Sequence, residues 1–170
     1  VTDDKSNQAN LDQIKKLLNS TIIKTELINL SEDEFASEIK DKDINGKLIS
    51  KNMLSNMRNI LKSIKISEKS NSDLFYFLED DYIHKNEAIT EMLFTYEKLS
   101  TQLDSDLFLC PADYPFLYSN IDNTKIFLGN KVHWRSVKET LITFMTSKKM
   151  INKYLNELKA MGQLRHHPME

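Results

Sequence analysis

Hydrophobic positions along this chain change their rhythm repeatedly, and each rhythm predicts an element. In "NLDQIKKLLNST" Leu11, Ile14, Leu17 and Leu18 fall three and four residues apart, on one stripe of a helix. "IIKTELINL" is apolar and β-branched enough for a short strand, and "SEDEF" resembles a helix start, with Ser31 as N-cap and Glu34 three residues on. In "KLISKNMLSNMRNILKSIKIS" the residues Leu48, Ile49, Met53, Leu54, Met57, Ile60, Leu61 and Ile64 recur at helical spacing, which predicts a long helix packing one face on a sheet. "LFYFL", residues 74–78, is fully apolar, the type of strand found at the centre of a sheet covered on both faces. "NEAITEMLFTYEKLSTQL" is amphipathic again, and "DLFLCPADYPFLY" reads as a strand running into a loop stiffened by Pro111 and Pro115.

"VTDD" at the front reads as the tail of a strand entering a turn, so strand and helix alternate over the first two thirds. That alternation predicts an α/β fold with a largely parallel sheet. The last third breaks the rhythm. "KIFLGNKVHWRSV" predicts a β-hairpin turning at Gly129 and Asn130, "TLITFMTSKKMINKYLNELKAM" a strand passing into a C-terminal helix, and Gly162 the stop of that helix. Residues 1–162 are thus expected to form one domain and 163–170 a polar tail. Because Val1 opens in what reads as the end of a strand, a strand-helix unit is expected upstream of it.

With 170 residues, 40% hydrophobic and 28% charged, and three Gly and three Pro, the chain falls among globular domains rather than disordered or fibrous ones. The net charge of −2 offers no basic field, so nucleic acid is not an expected partner. The single cysteine, Cys110, excludes an internal disulfide and a cysteine zinc cluster, in keeping with a reducing, cytoplasmic setting. No apolar run approaches the ~20 residues of a membrane span.

The candidate chemistry lies in the acids. Glu79, Asp80 and Asp81 follow "LFYFL" directly, and Asp3 and Asp4 stand at the end of the first predicted strand. In a parallel α/β sheet ligands bind beyond the carboxyl ends of strands, so both clusters can face one crevice. On an extended backbone Glu79 and Asp81 point to one side and Asp80 to the other. Such a pair is a hard-oxygen site for Mg2+ or Mn2+. The plainer alternative is a solvated turn whose acids favour the positive N-terminus of the next helix.

"VTDDKS" resembles the Asp-Asp-x-Ser turn of the GT-A nucleotide-sugar transferases, above all the family 2-like glycosyltransferases, and "FYFLEDDYIH" is similar to their Asp-x-Asp strand end. "DYPFLY" and "HWRSVKETLITFM" resemble a bacterial branch in which an acidic strand end precedes a Pro-containing loop and a His-Trp-basic segment. The order of the motifs matches, although the usual Asp-x-Asp is here Glu-Asp-Asp.

The resemblance implies a glycosyltransferase that moves a sugar from a nucleotide-diphosphate donor to an acceptor hydroxyl. The acceptor would be a glycan or a lipid-linked molecule, the latter bringing peripheral association with a membrane. It implies that Asp4, or its neighbour Asp3, accepts hydrogen bonds from the nucleobase or ribose, that Ser6 helps hold the turn, that Asp81 ligates the Mn2+ or Mg2+ that bridges the diphosphate, with Glu79 oriented to the metal or to the donor sugar, and that Asp80 lies against the donor. The general base falls to Asp113 in the "PADYP" loop or, second, to Glu139. His133 would complete the metal shell or bind diphosphate, Trp134 stack on a sugar and Arg135 pair a phosphate.

Each assignment has a structural alternative. Trp134 and His133 can be a half-buried hairpin pair, His84 can pack near the acids rather than ligate, and Tyr82, Tyr114 and Tyr118 can be loop packing rather than an acceptor cleft. Cys110 reads as a small core residue and His166 and His167 as a solvated end. The rival function is a non-enzymatic α/β module, receiver-like or degenerate, whose acids bind Mg2+. It would need Thr143 and Lys148 at later strand ends, and it has no place for the "HWR" hairpin.

Overall fold

The structure, a computed structural model, describes residues 8–79, 82–118, 123–139 and 142–164. The expected strand tail at 1–4 lies outside them. The chain divides into two compact units. A helical unit takes the described part of Val1–Ile66 and of Asn156–His167, and a sheet unit takes that of Ser67–Leu155.

The helical unit holds α1 (Gln8–Asn19), most of α2 (Lys51–Lys69) and most of α5 (Leu155–Gln163). Helix α2 starts where Ser50 accepts the Met53 N–H on its hydroxyl and the Leu54 N–H on its carbonyl, so the helical run read from Lys47 begins at Lys51, four residues later. Met57, Leu61 and Ile64 on it are buried, four and three residues apart, as the helical spacing predicts. Gly162 is not a helix stop. It lies inside α5, and a Cβ there would come within 2.8 Å of the Leu61 backbone nitrogen and 2.9 Å of the Met57 carbonyl oxygen. The residue is glycine because two helix backbones approach closely.

Two expectations fail in the segment between α1 and α2. "IIKTELINL" forms no strand, and Ile22 and Ile23 are exposed. A strand needs a neighbour to pair with, and β-branching alone supplies none. "SEDEF" turns instead of starting a helix: Phe35 adopts φ 65°, outside right-handed helical space. Its ring lies beneath Lys65, with Nζ 4.4 Å from the centroid, while Lys62 and Lys65 reach on to Glu34 and Glu38. Tertiary contacts with α2 override the local capping signal.

The sheet unit contains β1 (Leu74–Phe77), α3 (Ala88–Leu103), β2 (Phe108–Leu109), the short 3-10 turn Pro115–Tyr118, β3 (Ile126–Leu128), β4 (His133–Arg135), β5 (Phe144–Ser147) and α4 (Lys148–Lys153). Its three-stranded sheet has the order β1-β5-β2, and β5 runs antiparallel to both neighbours. β3 and β4 form a separate antiparallel hairpin. The fold is therefore mixed α/β, and every described strand pairing is antiparallel where a largely parallel sheet was expected. The apolar "LFYFL" run sits at an edge of the described sheet, and the centre belongs to β5, all four of whose residues are buried. Half of β5 is Thr and Ser, so hydrophobicity alone points to the wrong strand. Thr146 is fitted to the interior by donating its hydroxyl to the Leu107 carbonyl, 2.7 Å away.

Helix α3 packs Met92 and Tyr96 against Leu109 and Met145, with Tyr76 and Trp134 at the margin of this core. It ends in a left-handed Asp104, whose neighbour Ser105 donates its N–H to the Ser100 carbonyl, a Schellman-type stop. No helix among the described residues is long and apolar enough to cross a membrane.

Candidate functional site at the carboxyl ends of two strands

Because β1 and β2 are each antiparallel to the β5 strand between them, they are parallel to each other. Phe77 is level with Phe144 and Leu109 with Met145, so both strands deliver their carboxyl ends to the edge where β5 begins. The segments leaving that edge, 79–84 after β1 and 110–118 after β2, carry in their sequence four of the seven acids singled out, all three loop tyrosines and one of the four histidines, His84. Antiparallel insertion thus keeps the geometry that the parallel-sheet argument needed.

Glu79 is tied to this edge. Its backbone N–H donates to the Thr143 hydroxyl at 3.2 Å, and that hydroxyl lies 3.4 Å from Glu79 Oε2. Asp80 and Asp81 lie outside the described residues, as do Asp3, Asp4 and Ser6. Among the described residues no three His, Cys, Asp or Glu side chains gather into a group that could hold a metal ion. Glu79 offers a hard carboxylate oxygen of the kind that Mn2+ or Mg2+ takes, and Asp80 and Asp81 adjoin it in sequence.

The two segments meet through tyrosines. Tyr82 and Tyr114 share a hydroxyl hydrogen bond of 2.5 Å, and the Tyr76 hydroxyl bonds His84 Nε2. Burial first, and then Cys110 and Tyr82 nearby, push the Tyr76 phenol up to about 12. Tyr114 is raised as well, by burial and then by its bond to Tyr82. Cys110 is near both Tyr76 and Tyr114, with its thiol toward the Ala112 carbonyl.

Asp113 sits in the fork of Arg135 from β4: Nε lies 3.0 Å from Oδ2 and Nη2 lies 2.5 Å from Oδ1. Tyr118 donates its hydroxyl to the same carboxylate and lies under the guanidinium, 4.5 Å from ring centroid to Cζ. The Arg135 hydrogen bonds hold the Asp113 carboxyl below its ordinary range. Asp113, Arg135 and Tyr118 are therefore one exposed cluster, in which the favoured base candidate is already ion-paired. Glu139 and His133 are exposed.

Trp134 is packed beside the core, and its indole N–H donates to Glu91 Oε1 at 3.2 Å. The alternative in which Trp134 caps the core describes its surroundings. Glu91 had not been singled out. It sits among the buried residues of α3, 8% exposed, and it also accepts the N–H groups of Asn130 at 2.9 Å and Lys131 at 2.8 Å. Burial pushes its carboxyl up, but the hydrogen bonds from Lys131, Trp134, Asn130 and Thr95 outweigh that and leave it lowered. The signal for it in the sequence was a carboxylate placed on the apolar face of an amphipathic helix.

Lys148, which a receiver-like module would need at its acidic site, points elsewhere. Its ammonium bonds the carbonyls of Ser67, Glu68 and Ser70 at 2.7–2.8 Å and so caps the end of α2. No family model, no curated protein and no solved structure matches the chain.

Proposed function

We propose that the chain is part of a metal-dependent glycosyltransferase of the GT-A type that transfers a sugar from a nucleotide-diphosphate donor to a glycan or lipid-linked acceptor hydroxyl. The observation that carries the reading is the parallel course of β1 and β2 on either side of β5, which brings Glu79, the tyrosine pair and the Asp113–Arg135 cluster out of one sheet edge. In this reading Glu79 and Asp81 hold Mn2+ or Mg2+, which when bound supplies charge stabilisation for the diphosphate leaving group. Asp3, Asp4 and Ser6 hold the nucleoside, and Asp80 lies against the donor.

Arg135 takes a phosphate oxygen. Its pair with Asp113 is solvent-exposed, and such pairs contribute about 0–1 kcal/mol, so a multiply charged diphosphate competes effectively for the guanidinium. Once Arg135 has turned to phosphate, Asp113 is relieved of the contact that holds its proton affinity down and becomes the better base toward the acceptor hydroxyl. Glu139 is the second candidate for that role.

The test is thermal melting of the full chain with ADP, GDP, UDP, CDP and dTDP, each with and without Mn2+. One nucleotide should stabilise only with the metal present, by about 2.7 kcal/mol at a hundred times its dissociation constant. Stabilisation by Mg2+ with beryllium fluoride, and by no nucleotide, would replace this reading with the receiver-like one.

A further inference from the structure

The β3–β4 hairpin has little to hold it in place by itself. Its strands are three residues each, and a lone two-stranded hairpin is marginal in water. Gly129 donates its N–H to the Val132 carbonyl at 2.9 Å, leaving Asn130 and Lys131 at the tip. None of these four residues has a positive φ, so the tip lacks the primed turn geometry that matches strand twist. Helix α3 supplies what the turn lacks. Glu91 takes the N–H groups of Asn130 and Lys131 and the indole N–H of Trp134. Seven residues on, Lys98 donates to the Leu128 carbonyl at 2.8 Å. A Cβ on Gly129 would collide first with Glu91 Oε1 and would come within 2.6 Å of both Thr95 Oγ1 and Trp134 Nε1, so the tip is pressed onto the helix.

We infer that Glu91 is a positioning residue, whose carboxylate fastens the hairpin to α3 and thereby holds Arg135 in place at Asp113. For its functional consequence the inference rests on the proposed transfer reaction; the fastening itself does not. Glu91 touches neither Arg135 nor Asp113 in this arrangement and acts through Trp134, the residue immediately before Arg135. A buried carboxylate that accepts three donors from one hairpin is poorly replaced by an amide, which keeps one acceptor oxygen and turns an NH2 group toward a donor.

Trp134 is the sole tryptophan, so its emission reports on the hairpin alone. In the full chain, Glu91→Gln should red-shift that emission and raise acrylamide quenching roughly twofold or more as the indole opens to water, with the far-UV spectrum retained. Gly129→Ala, which keeps the carboxylate in the sequence but drives a methyl against it and pushes the tip away, should give the same signature. Lys98→Met should give a weaker one. With Mn2+ present, whichever of ADP, GDP, UDP, CDP and dTDP binds the parent should bind Glu91→Gln about tenfold more weakly. Unchanged emission and quenching in Glu91→Gln would overturn the inference, and so would an opened Trp134 with unaltered nucleotide affinity. If no nucleotide binds the parent, the transferase reading fails, and the fastening is still decided by the emission of the two variants.

Discussion

The helical unit and the sheet unit are built on different economies of contact. In the helical unit the buried side chains of α2 and α5 are apolar or small, with Leu61 fully buried and Gly162 against it, and its ion pairs Lys62–Glu34 and Lys65–Glu38 sit at partly exposed positions. In the sheet unit polar groups are drawn inward and given partners: Glu91 under the hairpin, Thr146 under Leu107, Lys148 under the end of α2. Apolar packing of the first kind fixes where helices lie. Directional bonding of the second kind fixes where particular side chains point, which is what a site requires. The candidate chemistry among the described residues falls wholly in the sheet unit.

Leu61→Ala should show the largest effect on this contrast. A fully buried leucine loses about 2–5 kcal/mol on truncation, so the far-UV unfolding transition should move to lower urea, with the Trp134 transition moving less. Equal shifts by both probes would mean that the two units share one stability. Next comes Gly162→Ala. Alanine gains about 1 kcal/mol of helix propensity, but its methyl meets backbone atoms of α2 that cannot turn aside, and overpacking costs about 1–3 kcal/mol. We expect a net loss in urea melts, and a gain would mean that α5 has room to shift.

Acid should act on the sheet unit through Glu91. Its carboxyl is lowered in the folded chain, so its contribution is present above the unfolded value of about 4.3 and is lost as pH falls through the lower folded value. Trp134 emission should shift to the red on titration below about pH 4.3, and this step should be missing in Glu91→Gln. Asp106 and Asp113 are lowered too, so some acid sensitivity of the melting temperature should survive in that variant. The smallest effect belongs to Asp113→Asn. The pair with Arg135 is exposed, and its removal should change stability by less than about 1 kcal/mol in the same urea melts.

The sequence was easier to read in one unit than in the other. In the sheet unit "LFYFL", "AITEMLF", the hairpin and "TFMTS" all form the elements their patterns predict, because each pattern finds the partner it implies. Strand order was not legible: β5 is central though half of it is polar, since Thr146 satisfies its hydroxyl internally. In the helical unit "IIKTELINL" forms no strand and carries only a single bridge residue, Asn29, and Phe35 takes a left-handed conformation that no sequence rule assigns to it. Gly162 looked like a terminator because glycine serves both as a stop and as a point of close approach. Of the candidate site, Asp113 and Arg135 were named separately but their pairing could not be foreseen. Glu91 was legible only as a carboxylate on the apolar face of α3, and the three hairpin donors that give it its role lie about 40 residues away in the sequence.

The claim that the edge shared by β1 and β2 is a metal-dependent nucleotide site is tested most directly by isothermal titration of the full chain and of Asp81→Asn with ADP, GDP, UDP, CDP and dTDP, with and without Mn2+. The account predicts that the parent binds one nucleoside diphosphate only when Mn2+ is present and that Asp81→Asn loses this binding while keeping its far-UV spectrum and its melting temperature. Binding that is equal with and without Mn2+, or equal in the parent and in Asp81→Asn, would contradict it.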